Sequence, residues 1–136
     1  MNYILKKDNI EYLVVHCSDT DDNFTVEDIH RMHLQFGWDG IGYHKVIDQK
    51  GNVYNGRPEY WIGAHVKGFN AKSLGVCLIG RNNFSKKQLT SLKDLLKKWK
   101  KVYPKAKILG HKDVTQTSKT CPNFEVISWT KKNKII

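Results

Sequence analysis

Cysteine is scarce in this chain, with only Cys17, Cys77 and Cys121 among 136 residues. An odd, sparse set excludes the disulfide framework of a small secreted domain and leaves reduced thiols, at least one of them open to a functional role. No run of about 18 apolar residues occurs, so the sequence offers nothing to span a membrane. Met1 to Asp8 lack an apolar stretch and a small-residue cleavage site. That predicts cytoplasmic synthesis without a signal peptide. Repeats, low-complexity tracts and linkers are missing too. What remains is one domain over residues 1–136, 40% hydrophobic, large enough to bury a core without covalent staples.

Acidic residues are also few: 13 Asp and Glu stand against 23 Lys and Arg, giving a net charge of +10. Such a charge speeds encounter with polyanions and does not say which polyanion. Nine of the basic residues lie between Lys86 and Lys107, and Lys131, Lys132 and Lys134 close the chain. A solvated helix face with a basic tail accounts for them equally well.

Tyr12 to Ser18 is a short Val-rich run ending in polar residues, which reads as a buried strand. Thr25 then caps a helix whose first turn holds Glu27 and Asp28, acids that the helix dipole favours. Val26, Ile29, His33 and Phe36 fall on one face of it, and Gly37 supplies the stop. Tyr43 to Asp48 and Val53 to Gly56 predict a hairpin around Gln49-Lys50-Gly51. Residues 57–73 form a long irregular stretch, and loops of that length are usually functional. Leu74 to Gly80 reads as another buried strand. Ser85-Lys86-Lys87-Gln88 is a capping box opening a helix to about Tyr103, striped by Leu89, Leu92, Leu95, Leu96, Trp99 and Val102. Lys107 to His111 is a last short strand before a polar loop and a short C-terminal segment. Strands alternating with helices predict an α/β fold: a single domain whose central mixed β-sheet is flanked by helices.

Two histidines share a setting. His16 follows Leu13-Val14-Val15 and His111 follows Ile108-Leu109-Gly110, so both stand at the carboxyl ends of predicted strands. In open α/β sheets those ends line the ligand crevice. Cys121 stands ten residues past His111, across a loop long enough to fold back. Two imidazoles and a thiolate would leave a tetrahedral zinc one open position, as in catalytic sites. Six histidines and three cysteines allow many other combinations, and His16 and His111 also read as core histidines. Cys17 and Cys77 sit in apolar strands and read as small buried hydrophobes.

A series of motifs narrows these alternatives. Val15-His16-Cys17-Ser18, Gly37-Trp38, Gly42-Tyr43-His44, Gly56-Arg57 and Gly63-Ala64-His65 occur in that order. They are followed by Ser73-Leu74-Gly75-Val76-Cys77, Gly110-His111-Lys112-Asp113 and Lys119-Thr120-Cys121-Pro122. Together they resemble the zinc-dependent N-acetylmuramoyl-L-alanine amidase family, which includes amidase-type phage lysozymes and peptidoglycan recognition proteins. The resemblance runs from about Tyr12 to Trp129. It implies zinc as cofactor, held by His16, His111 and Cys121, with Tyr43 and Lys119 as catalytic helpers. His65 matches a cleft position near the metal and is expected to contact substrate. The implied reaction is hydrolysis of the amide between the muramic lactyl group and L-alanine, with bacterial peptidoglycan as partner, met after release or as wall fragments.

Two other readings remain. Family members without the cysteine ligand recognise peptidoglycan and do not cut it, whereas this chain has Cys121 and Lys119. A nucleic-acid or protein-binding regulator would use the basic surface, yet no zinc-finger spacing or RNP sequence is present, so nucleic acid is not an expected partner. Some phage members of the family bind other proteins, and no residue here tests that.

Overall fold

Two apolar strands lie side by side at the centre of the molecule. A computed structural model describes residues 4–114 and 120–135. Its strands are β1 (Tyr12–Cys17), β2 (Lys45–Ile47), β3 (Val53–Asn55), β4 (Ser73–Leu78) and β5 (Lys107–Gly110). They form one sheet in the order β3-β2-β4-β1-β5. β1 runs parallel to both β4 and β5, β2 runs parallel to β4, and β3 turns back antiparallel on β2. The sheet is therefore mixed, as expected. β4 is buried along its whole length and β1 nearly so, which is why both read as continuous apolar runs without polar alternation.

The described residues also form four α-helices: α1 (Val26–Gln35), α2 (Lys86–Val102), the single turn α3 (His111–Val114) and α4 (Val126–Lys132). Thr25 caps α1 through a box with Asp28, and Ser85 caps α2 through a box with Gln88. Gln88 does more than cap. Its side-chain amide donates to Ile47 O at 2.9 Å and Ile79 O at 3.0 Å, tying the start of α2 to the ends of β2 and β4. Among the described residues, no buried side-chain nitrogen or oxygen lacks a hydrogen-bond partner.

Alternation along the strands divides the core between two faces. Leu13, Val15, Leu74, Val76 and Leu78 pack with Leu92, Leu95, Leu96 and Trp99 of α2 and with Val126 of α4. Fully burying a leucine of this kind contributes roughly 1.5–3 kcal/mol. On the opposite face Val46, Cys77 and Ile79 meet Ile29 of α1, with Tyr43 packed against them. His16 and Gly75 take the parity of that second face, so the site grows on the α1 side.

The basic helix is not uniformly free. Lys97 and Lys101 are exposed, but Lys100 Nζ donates to Pro104 O at 2.9 Å and Ala106 O at 2.8 Å. Lys100 thereby closes the carboxyl end of α2, where a cation suits the helix dipole. No helix among the described residues is long and apolar enough to cross a membrane.

Candidate metal centre

Register places the two strand-end histidines together. Val15 of β1 pairs with Gly110 of β5, so the next residue on each chain is His16 or His111. Their rings lie 4.8 Å apart, centroid to centroid. Cys121 brings the chain back beside the end of β1, within reach of both rings. The Lys112 N–H donates to Cys121 O at 3.0 Å, and the Cys17 N–H donates to Cys121 Sγ at 3.1 Å. Gly110 makes the return feasible, since a Cβ there would stand 2.9 Å from Pro122 Cδ. One ligand atom from each of His16, His111 and Cys121 lies within 4.8 Å of the others. These three residues form a possible metal site.

His16 is almost wholly buried, and a chain of hydrogen bonds settles its tautomer. Ser73 Oγ donates to Phe69 O at 2.8 Å, so the same oxygen accepts from His65 Nε2 at 3.1 Å. His65 Nδ1 then carries the lone pair and accepts from His16 Nε2 at 2.8 Å. That leaves Nδ1 as the unprotonated nitrogen of His16. The backbone holds His65 in place as well: Asn70 Oδ1 accepts from the His65 and Val66 N–H groups, both at 2.9 Å. Gly75 lies directly under the His65 ring, where a Cβ would come within 2.6 Å of Nδ1.

The remaining histidines support this wall. His44 Nδ1 accepts from the Gly75 N–H at 3.0 Å, and its Nε2 donates to Trp61 O at 2.8 Å. His33 Nδ1 accepts from the Gly42 N–H at 2.9 Å. Burial is the main reason that His16, His65, His44 and His33 all have lowered pKa values, His33 to about 4. For His16, the neighbouring His65 and His111 lower it further. At neutral pH these four imidazoles are therefore neutral; the lone pairs of His33, His44 and His65 are taken up by the bonds above, and that of His16 lies on Nδ1.

Tyr43 is half-buried, with its ring 5.1 Å from that of His16. Burial, and then the nearby thiols, hold its phenol well above the usual range, so at neutral pH it is a hydrogen-bond donor. Arg57 secures the loop beside it, donating to Ile41 O and Ile62 O at 2.9 Å each. Cys17 and Cys121 are also close, with sulfur atoms 3.8 Å apart. Hydrogen bonding between the two thiols lowers the pKa of Cys17 and, with burial, raises that of Cys121.

His16, Tyr43, His65, His111 and Cys121 all line one cleft of about 580 Å³. Phe36 and Trp38 stand on its rim, 59% and 39% exposed. Five of the six residues singled out from the sequence thus meet in one place. Lys119 lies outside the described residues. Ser73 and the sulfur of Cys17 are additions that the sequence reading missed. Ser73 opens an apolar strand and carries no spacing signal, whereas Cys17 adjoins His16 in the chain and could have been flagged for that reason.

Comparison with known proteins gives a consistent picture. The family described as N-acetylmuramoyl-L-alanine amidase matches residues 6–124. The endolysin of Enterobacteria phage K11 is 36% identical over 141 residues, covering 96% of this chain and 92% of the relative. Among solved structures, the N-acetylmuramoyl-L-alanine amidase LysC from Clostridium intestinale URNW superposes with a TM-score of 0.84. It is 33% identical, and the match covers 100% of this chain and 95% of that one. Bumblebee PGRP-SA superposes with a TM-score of 0.82 at 30% identity, covering 96% and 84% of the two chains.

Proposed function

We propose that this chain, which belongs to the N-acetylmuramoyl-L-alanine amidase family, uses zinc held by His16, His111 and Cys121 to cut peptidoglycan. The chain is a peptidoglycan amide hydrolase, and the bond it cuts joins the N-acetylmuramic lactyl group to L-alanine. What carries the zinc reading is the convergence of two imidazoles and a thiol on the wall of the cleft. Two neutral nitrogens and one sulfur suit zinc and leave a fourth position for chemistry. When bound, zinc supplies Lewis acidity toward a carbonyl oxygen and makes water a competent nucleophile near neutral pH.

The protein's own groups do the rest. The Tyr43 hydroxyl, held protonated, donates toward the oxygen of the scissile carbonyl as charge builds there. Lys119, assigned on the resemblance of its motif, supplies a cation for that oxyanion or a proton for the leaving amine. Phe36 and Trp38 give the rim an apolar surface on which the sugar and lactyl groups can rest. The bonds of His65 to His16 and Ser73 favour a positioning role for it over substrate contact. Action at the wall follows release from the cell that made the protein, or the arrival of wall fragments.

Metal analysis tests the zinc assignment. Purified protein should carry about one zinc per chain, lose hydrolysis when stripped of it, and recover when zinc is returned. Full activity in demonstrably metal-free protein would defeat the assignment.

Ser73→Ala tests the positioning chain. Without its hydroxyl, His65 is free to take the other tautomer, and His16 loses the bond that directs Nδ1. Zinc affinity should drop by roughly 10- to 100-fold, the usual cost of losing an outer-shell partner. At saturating zinc, KM for a soluble muropeptide should stay at the parent value. Unchanged affinity in a competition titration would show that the chain does not orient His16.

A further inference from the structure

The Cys17 and Cys121 sulfurs lie 3.8 Å apart, and both thiols are free. Cys17 ends β1 and is 5% exposed, whereas Cys121 is half-buried on the cleft wall. Their approach is built in. The Cys17 N–H donates to Cys121 Sγ at 3.1 Å, and Asn123 Nδ2 reaches Cys17 Sγ at 3.8 Å. A disulfide requires an S–S distance of about 2.05 Å, so closing the pair takes a shift of a little under 2 Å. Cys77 is fully buried in β4 and is not part of the pair.

We propose that Cys17 and Cys121 form a thiol-oxidation site, at which a peroxide converts the pair to a disulfide and removes the sulfur donor from the metal centre. The second half rests on reading Cys121 as a metal ligand. Cys121, the more exposed sulfur, attacks one peroxide oxygen: an S–O bond forms, the O–O bond breaks, and water leaves carrying the thiol proton. The Cys17 sulfur then attacks Cys121 Sγ, forming the S–S bond and expelling the sulfenic oxygen as a second water. Each sulfur loses one electron, and the two peroxide oxygens gain them. A thiol reductant reverses the bond by exchange. Cys17 thereby acts as a resolving cysteine, trapping Cys121 before it reaches the irreversible sulfinic acid.

The site also makes metal and disulfide alternative occupants of one sulfur. With Cys121 oxidised, His16 and His111 alone hold the metal weakly, so hydrolysis stops until the pair is reduced. Without peroxide the thiols persist, and peroxide silences the protein until a thiol reductant restores them.

The test uses the full-length, zinc-loaded protein treated with hydrogen peroxide. Intact mass should fall by two hydrogen atoms, and non-reducing peptide maps should show Cys17 linked to Cys121 with Cys77 free. A chromogenic chelator should report release of the zinc. After dithiothreitol the parent should rebind at least about nine-tenths of its zinc, while Cys17→Ala should rebind less than about a tenth, its Cys121 having gained two oxygens. Cys17→Ser replaces the alanine variant should that one fail to fold. A parent without the linkage, or a Cys17→Ala protein that recovers its zinc as fully as the parent, overturns the oxidation site. A linked pair that still retains zinc overturns the ligand reading of Cys121 and leaves the oxidation site standing.

Discussion

Cys121→Ser should leave a folded protein that still binds walls and hydrolyses them more than about a thousandfold more slowly, a loss of roughly 4 kcal/mol of transition-state stabilisation. In the proposed His16–His111–Cys121 ligand set, Cys121 would be the only anionic donor, as a thiolate. A neutral hydroxyl is a harder, weaker ligand, and two imidazoles alone hold zinc poorly. The fold should survive, because Cys121 is half-buried and lies outside both hydrophobic clusters. Wall binding should persist through the rim and the loop before β4, which the substitution does not touch. Sedimentation with insoluble peptidoglycan, run beside a turbidity assay and circular dichroism, reads all three properties. A folded variant that clears walls at the parent rate would remove Cys121 from the ligand set.

Gly75→Ala should damage fold and site together. The added Cβ would meet His65 Nδ1 at 2.6 Å and its Cε1 and Cγ at 2.8 Å. These are ring atoms of a side chain with little room to retreat, since His65 is pinned by Ser73, by His16 and through its own N–H. Gly75 itself is locked in β4, its N–H donating to His44 and its C=O accepting from the His44 N–H. Overpacking of this kind costs about 1–3 kcal/mol. Zinc affinity should fall by roughly tenfold or more as His65 tilts away from His16. Urea melts and a zinc competition titration measure the two effects. Parent-like affinity in the folded variant would show that His65 can move without disturbing His16.

Much of the frame was legible because local signals coincide with the structure. The Ser85 box and the leucine stripe of α2 agree with burial of Leu92, Leu95, Leu96 and Trp99. The apolar runs of β1 and β4 reflect burial on both faces. Strand ends were read a residue or two long, as at Gly80 and His111, because hydrophobicity outlasts ladder pairing. The turn α3 was not legible. It is too short to show a periodic face, and its first residue, His111, directly continues the preceding strand. Strand order was equally hidden, since no local pattern places β5 beside β1 in parallel.

The site divides in the same way. His16 and His111 could be found because they follow apolar strands directly, and parallel pairing of β1 with β5 then brings them together. Tyr43, His65 and Cys121 needed the order of the motifs, because their spacing alone is compatible with packing roles. Ser73 could not be found from sequence. Its part in the His65–His16 chain depends on how residues 65–73 fold, through Asn70 and the Phe69 carbonyl. The nearness of Cys17 to Cys121 likewise spans 104 positions and appears only in the folded protein.

Mass spectrometry of digested peptidoglycan tests the central claim most directly. Amide hydrolysis by this site should release stem peptides with a new L-alanine amino terminus and leave the glycan strands intact. New reducing sugar ends beside uncut lactyl–alanine bonds would contradict it and make the protein a glycosidase.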